Sequence, residues 1–106
     1  MLVAGGKKFK ILEGREDAFE AMFMRLSDEI AAKEHGTLFY KLCRVRGEPL
    51  TYFLLEIFQD EEARIAHASA PHMWAAMPQL LSFLDGELEF HYFDPAENFR
   101  KTIHAA

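Results

Sequence analysis

One cysteine in 106 residues rules out an internal disulfide, so this chain must be held together by packing and hydrogen bonds. A lone thiol, Cys43, suits a reducing compartment. Nor is there an apolar run approaching the roughly 20 residues of a membrane span. The start, MLVAGGKKFKIL, has too short an apolar stretch for a signal peptide, and Lys7, Lys8 and Lys10 follow it closely. A soluble, cytoplasmic protein is expected, with no membrane partner. Basic charge is also scarce: 12 Lys and Arg face 17 Asp and Glu, for a net charge of −5. That balance argues against a nucleic-acid partner, which needs a basic face. The basic residues concentrate only at Lys7, Lys8 and Lys10, and at Lys41, Arg44 and Arg46. Linkers, repeats and low-complexity segments are missing too, so one domain over residues 1–106 is expected.

Large apolar side chains are abundant. Aromatic residues make up 13% of the chain, and ten of them are Phe. A domain of this size can bury roughly 65% of its unfolded surface. Residues 8–13, KFKILE, are the clearest part of a first strand, with Gly5 and Gly6 loosening its start and Gly14 ending it. A helix follows, in which Phe19, Met22, Phe23, Leu26 and Ile30 recur at helical spacing. Glu16 and Asp17 suit its positive end, and Gly36 is a plausible stop. TLFYKLCRVR and LTYFLLEIF read as a hairpin around Gly47–Pro49. Asp60 can cap the helix that carries His67. Pro71 interrupts that helix and starts another, and PQLLSFL reads as a further helical piece ended by Asp85 and Gly86. ELEFHYF is the last strand. Phe99 and Ile103 in the tail, four apart, suggest a short helix or a docking segment.

The order is β-α-β-β-α-β, an α+β, ferredoxin-like arrangement with an antiparallel sheet and its helices on one face. A sheet covered on one face should alternate apolar and polar residues. The strand LTYFLLEIF does not. Tyr52, Leu54 and Phe58 point one way; Phe53, Leu55 and Ile57 point the other. Each large side chain left wet forgoes about 1.5–3 kcal/mol of burial. A second copy of the sheet is the simplest cover, so a homodimer packed sheet to sheet is expected.

The stretches FKILEGREDAFEAMF, GTLFYKLCRVRGEP and FLLEIFQDEEARIAHASAPHM resemble the antibiotic biosynthesis monooxygenase domain family, which includes quinol monooxygenases. The marks are Gly14, Gly36, Tyr40, Glu56, Phe58, His67, Ser69, Pro71 and His72, in that order and spacing. The resemblance covers about residues 8–93 and leaves 94–106 as a tail. It implies a dimeric α+β barrel. It also implies oxygenation of a quinol or phenolic small molecule by molecular oxygen, with no cofactor: no metal, flavin or haem. On that basis His67 is the candidate catalytic base, and Tyr40, Arg44, Glu56, His72 and Trp74 are candidates for contact with a small aromatic substrate.

Each candidate has a plainer reading. His67 and His72 are five apart, about 140° of turn on an unbroken helix, so they would not share a face as metal ligands; no metal site is expected. His67 can be a solvent-facing or capping residue late in its helix. His72, at a helix start, would tend to stay neutral. Glu56 can be a structural acceptor for backbone or for Arg44 or Arg46. Tyr40, Tyr52 and Trp74 read first as core, and Cys43 as a small buried hydrophobe.

Four other functions share this topology. Haem degradation in the superfamily goes with an Asn in the first strand and a Trp in the second long helix; here the only Asn is Asn98, and His67 and Met77 hold the relevant helix positions. An RNA-recognition module would need a Lys/Arg-Gly-aromatic signature that the third strand lacks. A non-catalytic small-molecule binder, or an isomerase of a small oxidised metabolite, remains open.

Overall fold

The computed structural model describes residues 1–96. The elements are β1 (Val3–Lys10), α1 (Glu16–Lys33), β2 (Thr37–Arg44), β3 (Thr51–Phe58), α2 (Glu61–Ser69), α3 (Pro71–Ser82) and β4 (Glu89–Phe93). The four strands form one antiparallel sheet in the order β2-β3-β1-β4, the expected α+β, ferredoxin-like arrangement. The expectation drawn from Phe99 and Ile103 lies outside the described residues. Among those residues, no helix is long and apolar enough to cross a membrane.

Three boundaries differ from the sequence reading. The first strand starts at Val3 and runs through both glycines. Packing explains this. A Cβ at Gly5 would lie 2.9 Å from Glu56 Oε2 and 3.2 Å from the Tyr92 ring, and one at Gly6 would lie 2.5 Å from Phe53. The glycines that weaken this strand locally are what let its neighbours' side chains lie across it. Second, α1 ends at Lys33, before Gly36. Gly36 is needed for close approach instead, since a Cβ there would sit 2.5 Å from Ala63 Cβ on α2. Third, α2 and α3 separate at Pro71 as expected, but Pro78 lies inside α3 rather than opening another piece. The break is at Ala70, held extended (φ −66°, ψ 139°) as the residue before a proline tends to be. The Asp60 cap is as expected, accepting from the Ala63 N–H.

All five apolar residues named for α1 are buried, together with Phe9, Ile11, Tyr52, Leu54 and Phe83. Strand register sorts the side chains into two faces. Toward the helices, Tyr40, Glu56, Gly5 and Tyr92 form one row across the sheet, and Leu42, Leu54, Lys7 and Phe90 form the next. The outer face carries Phe39, Phe53, Leu55, Ile57 and Phe93. Phe39, Leu55 and Phe93 are 43%, 41% and 52% exposed. Among the described residues, no helix covers that face.

Candidate functional site

Beneath α3 the sheet does not fill the space left by the helices. α3 packs on α1 and α2 rather than on the strands. A cavity of about 300 Å³ lies between it, α1 and the sheet, walled by Phe, Leu and Met, with Lys7 and Tyr40 as its polar members.

Behind that polar end lies a chain of buried ionisable groups. Glu56 sits on β3 at 1% exposure. A buried carboxylate needs a partner, and Lys7 Nζ donates to its Oε1 at 3.0 Å. The sequence reading looked to Arg44 or Arg46 for that partner. Register decides against Arg44: it lies opposite Tyr52, four residues along β2 from Tyr40, which lies opposite Glu56. Arg44 instead makes a two-pronged ion pair with Glu20, which also accepts from Tyr52 Oη at 2.6 Å. Those bonds, Arg44's first, hold the Glu20 carboxyl below its usual range. Burial, then Glu20, pushes the Tyr52 phenol up to about 12.

His67 is buried at 4% exposure, packed between the rings of Tyr40 and Phe58. This corrects the solvent-facing reading. Its Nδ1 bonds Glu34 Oε1 at 2.7 Å, and its Nε2 faces Glu56 Oε1 at 3.8 Å. Glu34 is a hub. Its Oε1 also accepts from Thr37 Oγ1 at 2.7 Å, and its Oε2 bonds His72 Nε2. Burial works against the charge on Glu34, but the bonds from Thr37, His72 and His67 outweigh it and hold the carboxyl below its usual range. The Tyr40 phenol is pushed well above its usual range, by burial and then by the charges of Glu56 and Glu34.

With its Nδ1 proton committed to Glu34, a neutral His67 presents a bare lone pair at Nε2. That atom and Glu56 Oε2 are buried with no hydrogen-bond partner among the described residues. Such orphans are uncommon and call for an explanation. A proton on Nε2 would turn two facing acceptors into a donor and an acceptor. Carboxylate, imidazole and open lone pair in line are the arrangement of an oriented general base.

A family model for antibiotic biosynthesis monooxygenase matches residues 3–79. The chain belongs to the antibiotic biosynthesis monooxygenase family. Among solved structures, it is similar to a candidate antibiotic biosynthesis monooxygenase from Caulobacter crescentus CB15, at 25% identity over 91% of each chain with a TM-score of 0.86. It is similar to a conserved protein from Methanosarcina mazei Go1, at 22% identity over 88% of this chain and 91% of that one, TM-score 0.81. It also has the fold of SnoaB, a cofactor-independent oxygenase from Streptomyces nogalater, at 19% identity over 94% and 98% of the chains, TM-score 0.79. No curated protein sequence matches significantly.

In this antibiotic biosynthesis monooxygenase-family chain, the candidate residues fall in four places. Tyr40 lines the cavity's polar end, with Glu56 opposite it on β3 and the His67 ring packed behind it. His72 reaches the same network from outside, through Glu34, and lines an outer groove of about 530 Å³ with Glu34 and His67. The two histidines thus converge on one carboxylate, which the sequence spacing did not suggest. Arg44 lies apart, by the hairpin end of the sheet. Trp74 is 69% exposed on the outer side of α3, which corrects its core reading. Cys43 lies on the outer sheet face, away from His67. Two residues of the network, Glu34 and Lys7, went unnamed from sequence. Glu34 carries no sequence signal. Lys7 could have been found had the first strand been started at Val3, because alternation then puts a lysine between Gly5 and Phe9 on the buried face.

Proposed function

We propose that this protein is a cofactor-independent monooxygenase acting on a quinol or phenolic small molecule, bound in the cavity beneath α3. The observation that carries the reading is that Tyr40, which lines that apolar cavity, packs against a buried imidazole oriented by a carboxylate, His67 on Glu34.

Ground-state oxygen reacts slowly with closed-shell molecules. Removing the phenolic proton makes the substrate electron-rich enough to pass one electron to oxygen. The two radicals then join carbon to oxygen, and loss of water leaves a quinone. One phenol and one oxygen molecule give one quinone and one water, with no external reductant. His67, facing Glu56, takes the proton at the first step and returns it when water forms. The Phe, Leu and Met walls exclude water from the radical pair. Tyr40 lies where cavity and base meet, and its neutral hydroxyl can hydrogen-bond the substrate oxygen. Glu56 and His72 act through the network. Arg44 and Trp74 are at the periphery.

The outer sheet face packs against a second copy, giving a homodimeric barrel; Phe39, Leu55 and Phe93 are its first contacts. That cover removes the exposed apolar surface and leaves each cavity on the helix side.

The test is oxygen uptake by metal-stripped protein with a panel of hydroquinones and anthrone-like phenols. Uptake is expected to persist with chelator. His67→Ala should lower turnover by about 10²–10⁴-fold with far less effect on substrate binding. Uptake restored only by metal, or equal turnover in the variant, would overturn the reading. Silence across the panel would favour a non-catalytic binder.

A further inference from the structure

The cavity wall offers hydrogen-bond donors and, apart from two thioethers, no acceptor that is not also a donor. Lysine has three N–H groups and no acceptor. Lys7 Nζ makes one hydrogen bond among the described residues, to Glu56 Oε1, and stands 5.5 Å from the centre of the Phe90 ring. Its remaining N–H groups are unspent. Tyr40, the other polar group of the wall, stays a neutral hydroxyl. The groups facing Lys7 are Glu56 from β3, Tyr40 from β2 and Phe90 from β4; α1 and α3 add only apolar side chains such as Phe19, Phe23 and Met73 to the wall.

We infer that Lys7 is the oxyanion anchor of this site, and that the cavity takes its ligand as a flat apolar anion, a phenolate or enolate, with the charged oxygen on Lys7 Nζ and the Tyr40 hydroxyl. The inference rests on the proposed use of the cavity for a phenolic substrate. A low-dielectric site strengthens the attraction between the ammonium and the developing oxyanion. The ion pair with Glu56 holds the Lys7 ammonium at the cavity wall. When the phenolic proton moves to the His67–Glu56 pair, the carboxylate loses part of its hold on Lys7 as the phenolate gains it. The proton, the lysine's partner and the substrate charge therefore change together, and the net charge of the site is conserved. Among the described residues, no arginine or histidine lines this wall, and Lys7 supplies its one formal positive charge.

Binding of para-nitrophenol, whose phenolate is coloured, tests this without turnover. In the wild type the bound phenol should titrate about 1–3 units below its value in water. Lys7→Met should abolish the shift and Lys7→Arg should keep most of it. Because Lys7→Met strands the buried Glu56, the double variant Lys7→Met/Glu56→Gln, which removes both charges, is titrated as well and should also lack the shift. The same shift in the lysine-free variants, or nitrobenzene binding as tightly as para-nitrophenolate, would overturn the anchor. Oxygen uptake measured in parallel separates the two proposals. No shift with turnover intact overturns the anchor alone. A lysine-dependent shift without turnover on any phenol upholds the anchor and overturns the monooxygenase.

Discussion

Replacing Glu34 should cost this domain a large share of its stability. The carboxylate ties four elements together: it ends α1, and it bonds Thr37 of β2, His67 of α2 and His72 of α3. The Glu34, His67 and His72 side chains are at most 9% exposed, so solvent only partly replaces a lost partner. A hydrogen bond to a charged group contributes about 1.5–3 kcal/mol. Three that share one acceptor are not additive. Glu34→Ala also leaves two imidazoles and a hydroxyl without their partner, so about 3–5 kcal/mol is the expected loss. The domain as a whole should hold about 5–15 kcal/mol. At about 4 °C or more per kcal/mol, Tm should fall by at least about 12 °C. Glu34→Gln keeps the shape and one acceptor and should lose about 1–2 kcal/mol, the charged part of the interaction.

The pH dependence has a definite sign. The folded carboxyl lies below its ordinary value of 4.5. Its contribution is therefore complete above that value and disappears as pH falls through the lower, folded one. The gap between wild type and Glu34→Gln should close as pH falls into acid. Urea unfolding followed by circular dichroism across pH measures this directly. A loss under about 1 kcal/mol for Glu34→Ala, or a gap that persists unchanged into strong acid, would refute the hub.

Two further outcomes follow from packing. Gly36→Ala places a Cβ 2.5 Å from Ala63 Cβ, where neither atom can rotate away. It should cost about 1–3 kcal/mol by overpacking, and Ala63→Gly should rescue it in a denaturation double-mutant cycle. Leu55→Glu, on the uncovered sheet face, should turn a dimer into a protomer in sedimentation velocity while circular dichroism stays folded. A wild type that sediments as a stable lone protomer at micromolar concentration would sink the sheet-to-sheet packing.

Periodicity made most of the architecture legible. The apolar spacing in α1 named its five buried residues, and strand alternation sorted Tyr52, Leu54 and Phe58 from Phe53, Leu55 and Ile57. These are short-range properties, set by 3.6 residues per helical turn and two per strand repeat. The glycines were misread because their role is not local. Gly5 and Gly36 make room for residues 51 and 27 positions away in sequence, Glu56 and Ala63. The site was half legible. His67, Tyr40 and Glu56 were named, but Arg44 and Trp74 were grouped with them on residue type and end elsewhere.

The sequence by itself determined the order of the elements and the two apolar faces of the central strand, because these depend on spacing along the chain. The tertiary structure alone decided which charges meet. Lys7 rather than an arginine reaches Glu56, and two histidines on different helices close on Glu34, because a buried charge takes the partner that register and helix packing bring within about 3 Å.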